Sequence, residues 1–283
     1  MNYEQQLETL IKAALTEDIG PGDYSTLATI DKIATGKAVL KIKEDCTIAG
    51  IQVASKIFNL LDPQSVFIAK IDDGNTCLNG DIAFEVNSKI HVILSAERLV
   101  LNCMQRMSGI ATLTKKYVHE LKGFSTRLLD TRKTTPNFRL LEKEAVKIGG
   151  GTNHRFGLYD MIMLKDNHID YAGGINNALN ATREFLTKGE LNLKVEIEAR
   201  SLSDVELIVA NGKADIIMLD NFTPGQINEA LKIIPKQFKT EASGGINLNN
   251  IKEYAATGVD FISSGALIHQ AKSVDLSLKA KLN

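Results

Sequence analysis

The sequence predicts an α/β protein: an N-terminal α+β sandwich domain followed by an incomplete (β/α) barrel with about six strands. Residues 24–93 contain short apolar segments that alternate with polar residues and turns, as half-buried strands do. From residue 124 onward, apolar runs without alternation are separated by helical segments, which is typical of parallel strands buried on both faces. Six such units without an obvious edge strand favour a barrel shorter than the usual eight-unit form. A doubly wound open sheet is the alternative.

The N-terminal part of the chain predicts two helices and three strands. Apolar residues with helical spacing mark one face of a first helix, which Gly20 ends. A second helix, Gly50–Leu61, packs on the sheet, and Asp73-Gly74 and Asn79-Gly80 supply turns. The predicted strands are Lys37–Lys43, Val66–Ile71 and Ile90–Leu94.

A long helix from Ser95 to about Leu121 connects the two halves, with Gly109 as a place where it could be interrupted. We therefore expect an N-terminal domain over residues 1–110, with a helical start and a linker helix, and a barrel domain over residues 111–283. The C-terminal tail of the barrel domain could return to the first domain.

The C-terminal part predicts a regular alternation of strands and helices. The strands are Thr126–Thr131, Met161–Leu164, Lys194–Ile197, Ile216–Leu219, Lys239–Ala242 and Phe261–Ser263. The helices are Phe138–Ile148, Gly173–Thr187, Ser203–Ala210, Thr223–Ile234 and Leu248–Thr257.

Composition excludes several classes of protein. With 24% charged residues and a formal net charge of -1, general nucleic-acid binding is not expected, because it usually needs a basic excess. Apolar segments fall short of the ~18–20 residues that span a bilayer, and the N-terminus lacks the pattern of a signal peptide. Three cysteines without metal or redox spacing fit a reducing compartment. We expect a cytoplasmic protein without a membrane partner.

Charged groups and glycine loops follow the predicted strands, where the active sites of such barrels form. A single charged strand end is usually only a solvated cap, but six strands place such groups at one edge, sorted by type. The cations are Arg132, Lys133, His154, Arg155 and Lys165, which suit a polyanion such as a carboxylate. Glu198 and Asp220 are hard oxygen ligands suited to Mg²⁺. Ser243-Gly244-Gly245 and Ser264-Gly265 offer backbone N–H groups to phosphate.

Nine segments carry a resemblance to a known family. Within the predicted barrel they include TRKTTPNFR (131–139), GGGTNHRFGLYDMIMLKDNH (149–168), VEIEA (195–199), IMLDN (217–221), EASGGI (241–246) and ISSGALIH (262–269). Three more lie at residues 17–25, 96–102 and 105–111. In this order they cover almost the whole chain, and the sequence resembles the quinolinate phosphoribosyltransferases. Thr152 alone departs from the pattern, where a larger residue is expected.

The resemblance implies a homodimer with sites between subunits, in which Arg98 enters the neighbouring subunit's site. It implies that quinolinate and phosphoribosyl pyrophosphate become nicotinate mononucleotide, pyrophosphate and CO₂, in de novo NAD biosynthesis. The implied quinolinate-binding residues are Arg98, Arg132, His154, Arg155 and Lys165. The implied phosphoribosyl pyrophosphate-binding residues are Lys133, Lys165, Ser243, Gly244, Gly245, Ser264, Gly265 and His269. Lys133, Glu198 and Asp220 are implied to be catalytic, with Mg²⁺ held by Glu198 and Asp220.

Two other functions compete with this interpretation. A paralogous phosphoribosyltransferase associated with molybdenum-transport operons would use a different acceptor, and the full cation set argues against it. A regulatory protein that only binds phosphoribosyl pyrophosphate would not need Lys133, Glu198 and Asp220 together. The acidic pair Asp72-Asp73 resembles a phosphoribosyl pyrophosphate motif of another fold, but it lies in the sandwich half and is interpreted as a hairpin turn.

Overall fold

A computed structural model describes residues 2–281, which form two compact units. The described residues of the first unit lie within Met1–Lys115, Thr134–Gly150 and Leu267–Asn283. Those of the second unit lie within Lys116–Lys133 and Gly151–Ala266. Both units are therefore discontinuous in sequence, and the boundary expected near residue 110 falls inside a helix.

The helices are α1 (Tyr3–Ile19), α2 (Tyr24–Thr29), α3 (Ile51–Leu61), α4 (Ile90–Glu120), α5 (Arg139–Ile148), α6 (Asp166–Tyr171), α7 (Ile175–Lys188), α8 (Leu202–Asn211), α9 (Pro224–Ile233), α10 (Ile251–Ala255) and α11 (Ala266–His269). The strands are β1 (Thr35–Ile42), β2 (Cys46–Thr47), β3 (Val66–Ala69), β4 (Thr76–Cys77), β5 (Ile82–Lys89), β6 (Arg127–Leu129), β7 (Ile162–Leu164), β8 (Val195–Ala199), β9 (Ile216–Asp220), β10 (Lys239–Ser243), β11 (Phe261–Ser263) and β12 (Leu276–Ala280).

The first unit contains a four-stranded antiparallel sheet in the order β12-β1-β5-β3. Helix α3 packs against it, and three phenylalanines form the contact: the rings of Phe67 and Phe84 lie 4.5 Å apart, and Phe58 meets Phe84 edge-on at 6.1 Å. Offset and edge-to-face rings of this kind add to the stability gained from burial alone. The last described strand, β12, pairs with β1, so the C-terminal segment belongs to this sheet.

The predicted strand Ile90–Leu94 is wrong, because these residues are the first turns of α4. The strand that pairs with β1 and β3 is β5, which ends at Lys89. Within α4, Ile93, Ala96 and Val100 are buried, a spacing that puts them on one helical face. Five residues that are apolar except for His91 fit a strand as well as a helix, and only the continuation of the helical pattern distinguishes the two.

Helix α4 passes Gly109 without interruption. A Cβ atom at this position would overlap the carbonyl oxygen of Lys272. The glycine is therefore explained by close approach of the C-terminal segment to the helix. In the same unit, Arg106 pairs with the buried Glu142 of α5 at 2.8 Å and donates to the carbonyl oxygens of Ile268 and Ala271.

The second unit contains six parallel strands in the order β6-β11-β10-β9-β8-β7, and both ends of each strand lie within two residues of the predicted bounds. In the described part of the chain no ladder joins β6 to β7, so the barrel is incomplete, as predicted. The helix after β6 behaves differently from expectation, because α5 packs against α1 in the first unit. None of the helices within residues 2–281 combines the length and apolarity that a membrane crossing requires.

Candidate active site

The six parallel strands of the second unit all deliver the residues after them to one edge of the sheet. This edge carries most of the residues that the sequence singled out. Strand β8 is buried along its whole length, yet it contains two carboxylates, Glu196 and Glu198. Each carboxylate is the centre of a separate cluster.

At the end of β6, the buried Asp130 organises the first cationic loop. Its Oδ1 accepts the backbone N–H of His154 at 2.8 Å. The main chain before His154 pairs with β6, since Thr152 donates to the carbonyl oxygen of Leu128 at 2.9 Å. Burial and the charge of Arg132 lower the pKa of Arg155. Arg132 is thus among the charges that act on Arg155.

His154, Glu196 and Glu241 form an inner cluster, in which all three side chains are buried. His154 Nε2 lies 2.9 Å from Glu196 Oε2 and 3.3 Å from Glu241 Oε2. The other ring nitrogen, Nδ1, accepts the backbone N–H of Arg155 at 2.7 Å. Both ring nitrogens thus have partners within the chain.

Two influences on the inner cluster oppose each other. Burial lowers the pKa of His154, but hydrogen bonds to Glu196 and Glu241 raise it to about 9. A second ring proton would have to lie on Nδ1, where the Arg155 amide hydrogen already points. Two hydrogens cannot share that space, so the Arg155 contact assigns the neutral ring with its proton on Nε2, although the neighbouring carboxylates by themselves favour a charged ring. Burial and Glu241 raise the pKa of Glu196 to about 7, as expected for carboxyl groups that share one site.

Lys165, Glu198 and Asp220 form an outer cluster at the ends of β7, β8 and β9. Lys165 Nζ lies 3.7 Å from Glu198 Oε2, and the same oxygen accepts the backbone N–H of Asp166 at 3.3 Å. Burial raises the pKa of Glu198, Lys165 lowers it, and Asp220 raises it. The two carboxylates are thus close neighbours on adjacent strands, with a lysine that partly offsets their charge.

Two loops with glycine follow β10 and β11. Gly244 has φ +100°, and a Cβ atom there would overlap the side chain of Asn221, so the loop turns back tightly against the end of β9. Ser264 fastens the loops together, since its hydroxyl donates to the carbonyl oxygen of Ile246 at 3.0 Å and its N–H to that of Leu129 at 3.1 Å. The arrangement presents Ser243, Gly244, Gly245 and Gly265 at the same edge as Asp220.

Three further predicted residues occupy different positions. Lys133 is exposed after β6, and its N–H donates to Thr131 Oγ1 at 3.1 Å. Arg98 on α4 and His269 at the end of α11 are exposed residues of the first unit. The cluster contacts described above all lie within the second unit.

Glu196 and Glu241 were not predicted as site residues from the sequence. A signal was present, because an acid inside an otherwise apolar central strand needs a buried partner. Glu196 and Glu241 lie on β8 and β10, on the two sides of β9, and such buried acids predict a buried partner. What the sequence could not supply was its identity, since His154 is 42 residues away from Glu196 along the chain.

Comparison with known proteins agrees with this geometry. Residues 23–108 match the model of the quinolinate phosphoribosyl transferase N-terminal domain, and residues 110–279 match that of its C-terminal domain. A quinolinate phosphoribosyltransferase [decarboxylating] of Nicotiana glauca is 43% identical, over 96% of this chain and 82% of its own. A probable nicotinate-nucleotide pyrophosphorylase [carboxylating] of Bacillus subtilis is 40% identical, over 98% and 94%.

Solved structures give the same result. NadC from Streptococcus pyogenes superposes with a TM-score of 0.91 at 40% identity, and 98% of each chain is covered. The nicotinate-nucleotide pyrophosphorylase from Francisella tularensis has a TM-score of 0.90 at 37% identity, over 99% of this chain and 98% of its own. With both domain models matched and relatives at this identity covering the chain almost completely, the protein belongs to the quinolinate phosphoribosyltransferase family.

Proposed function

We propose that the protein transfers the phosphoribosyl group of phosphoribosyl pyrophosphate to quinolinate, releasing pyrophosphate and CO₂ and forming nicotinate mononucleotide for NAD biosynthesis. The observation that carries this proposal is the pairing of two cluster types at one sheet edge. Arg132 and Arg155 suit a dicarboxylate, while Glu198 and Asp220 suit a metal-bound pyrophosphate. A single-substrate enzyme would not need both.

The quinolinate carboxylates are proposed to contact the cationic set. Planar guanidinium groups bind a carboxylate through two parallel hydrogen bonds, and lysine adds a point charge. The predicted set is Arg98, Arg132, His154, Arg155 and Lys165. Because both ring nitrogens of His154 have partners within the chain, the direct contacts are assigned to the other four, and His154 supports Arg155. Arg98 is proposed to come from the neighbouring subunit of a homodimer.

The outer cluster fits Mg²⁺ in its donor chemistry, because the charge of Asp220 raises the pKa of Glu198 and a divalent cation would relieve that repulsion. When bound, the ion would neutralise charge on the pyrophosphate. Lys133 and Lys165 add positive charge at the same edge. Ser243, Gly244, Gly245, Ser264, Gly265 and His269 are proposed to contact the phosphates.

The chemistry then needs little from side chains beyond placement and charge. As pyrophosphate leaves, positive charge grows at the anomeric carbon, and fixed carboxylates nearby stabilise it. The quinolinate nitrogen becomes a pyridinium, which accepts the electron pair left when the adjacent carboxylate departs as CO₂. A separate decarboxylation cofactor is therefore not required.

The test is a steady-state assay of CO₂ and nicotinate mononucleotide with Mg²⁺, phosphoribosyl pyrophosphate and either quinolinate or nicotinate. Turnover with quinolinate, with one CO₂ released per nucleotide, is the expected result. No turnover with quinolinate at any concentration would contradict the proposal, and turnover with nicotinate alone would assign another acceptor.

A further inference from the structure

The inner cluster holds two buried carboxyl groups where a structural role alone needs one. Glu196 and Glu241 are 0% and 1% exposed as side chains. Glu196 Oε1 and Glu241 Oε1 make no hydrogen bond to a described residue, and Glu241 Oε2 has only the His154 Nε2 contact at 3.3 Å. Buried polar atoms without hydrogen bonds destabilise the fold, so the presence of two buried carboxyl groups needs an explanation other than stability.

The contacts of the His154 ring indicate what the cluster does. On one side, Nε2 faces Glu196 at 2.9 Å and Glu241 at 3.3 Å. On the other side, Nδ1 accepts the Arg155 N–H at 2.7 Å. An Nδ1 acceptor requires the proton on Nε2, and carboxylate oxygens are the groups that hold it there.

The same contacts place the main chain of Arg155. The N–H of His154 is bonded to Asp130 at the end of β6, and its ring is bonded to β8 and lies against β10. Residues 154 and 155 are thereby tied to three strands of the sheet. The Arg155 guanidinium donates to the carbonyl oxygen of Met161 at 3.3 Å, which leaves further donors of this side chain for a ligand.

Instead of the Nε2 proton, a divalent metal ion could lie between the three side chains of the inner cluster. One ligand atom from each of the three residues lies within 4.8 Å of the others. Metal binding through Nε2 would require the ring proton on Nδ1. A proton there would collide with the Arg155 N–H, which points at the same nitrogen. The geometry therefore favours a proton on Nε2 over a metal ion.

We propose that Glu196 and Glu241 are positioning residues, which hold His154 in its Nε2–H tautomer so that its ring fixes Arg155 for binding a substrate carboxylate. His154 then acts through Arg155. The inference rests on the proposed function for the identity of the substrate, but the tautomer and the buried contacts do not depend on it.

Two double variants test the proposal with matched shapes. In Glu196→Leu/Glu241→Leu both acceptors for Nε2–H are lost, whereas in Glu196→Gln/Glu241→Gln amide oxygens can still accept. We expect the quinolinate KM to rise at least about tenfold in the leucine variant, the order of one charge-assisted hydrogen bond. The glutamine variant should show a clearly smaller rise, and the KM for phosphoribosyl pyrophosphate should change less than about twofold in both.

The control is Asp215→Ala, directly before β9. Asp215 accepts the N–H of Val195 in β8 at 2.7 Å and pairs with Arg183 at 2.8 Å, so it tests whether any loosening of β8 has the same effect. Its quinolinate KM should match the wild type. Equal rises in both substrate KM values for the leucine variant, or the same quinolinate effect in the control, would overturn the proposal.

A readout independent of activity is the ¹⁵N spectrum of histidine-labelled protein near neutral pH. The chain has five histidines, and His154→Gln identifies the signal. We expect His154 to carry its proton on Nε2 only, in the wild type and the glutamine variant, and to lose this fixed state in the leucine variant. A proton on Nδ1 in the wild type would overturn the proposal, as would stoichiometric loss of the Nε2 proton on adding Zn²⁺ or Mn²⁺.

Failure of the proposed function gives a different result. In that case wild-type protein would show the Nε2–H tautomer but neither bind nor convert quinolinate. Wild-type turnover combined with an unchanged quinolinate KM in the folded leucine variant would instead remove only the positioning role.

Discussion

The inner and outer clusters contain carboxylates of the same strand, two residues apart, yet their surroundings differ. Glu196 has a histidine and a second carboxyl group around it and is 0% exposed as a side chain. Glu198 has Lys165, Asp220 and a backbone N–H around it, and Lys165 is 46% exposed. The inner cluster is closed by residues of the chain itself, whereas the outer cluster has partly exposed partners.

The difference indicates that two carboxylates on one strand can have different roles because their surroundings differ. One can position a neighbouring loop, and the other can bind a ligand. A closed cluster has few degrees of freedom left, so it can fix the geometry of a neighbouring loop. The carboxylates of the outer cluster have partly exposed partners, so they can bind a cation that also binds a phosphate group. Two similar acids on β8 are thus proposed to serve the same reaction in different ways.

The largest effect is expected from the outer cluster. In Glu198→Gln/Asp220→Asn, the amides keep the shape but lose the negative charge, so kcat should fall by on the order of 10²–10³. Adding Mg²⁺ with pyrophosphate should raise the unfolding temperature of the wild type, because a ligand of the folded state stabilises it.

The double amide variant should lose this Mg²⁺-dependent rise, while Glu196→Leu/Glu241→Leu should retain it. A metal response that disappears with the inner rather than the outer cluster would reverse the assignment of the two clusters. Circular dichroism before and after the substitutions verifies that each variant is folded.

A second prediction concerns the origin of Arg98. Separate Arg98→Ala and Lys133→Ala proteins should each be nearly inactive, but mixing them should restore measurable turnover, because one site of each mixed dimer would be intact. Exchange is verified with differently tagged subunits. Without recovery in verified mixed dimers, Arg98 would serve its own subunit.

Arg132→Ala should weaken quinolinate binding by at least roughly tenfold, since each lost charge-assisted hydrogen bond costs on the order of 1.5–3 kcal/mol. Calorimetric titration measures the affinity. Arg183→Ala is the matched control, because it removes a guanidinium of the same unit that pairs with Asp215 instead. Unchanged affinity in folded Arg132→Ala would contradict the proposed role.

The smallest effect is expected from Ser264→Ala. It removes the hydrogen bond from the Ser264 hydroxyl to the carbonyl oxygen of Ile246, and an average bond of this kind contributes about 1 kcal/mol to stability. Chemical denaturation should show that loss, with a modest rise in the KM for phosphoribosyl pyrophosphate. A variant of unchanged stability and unchanged KM would show that this contact does not hold the loop.

Much of the second unit could be predicted from sequence, because continuous apolar segments identify buried parallel strands and polar groups at their ends identify the active edge. The predicted strand over Phe261–Ser263 has the observed bounds. In the first unit the same method failed at Ile90–Leu94, since a short apolar segment is compatible with a strand and with a helix, and its neighbours decide between them.

The sequence by itself determined the six-strand architecture, the order of charged and glycine-containing segments, and the family. Only the tertiary structure decided which charges meet: that Glu196 and Glu241 enclose His154, that the Arg155 amide faces Nδ1, and that α5 packs with α1. These contacts join residues far apart in the chain, and their energies depend on burial and orientation. Neither quantity is encoded in local periodicity.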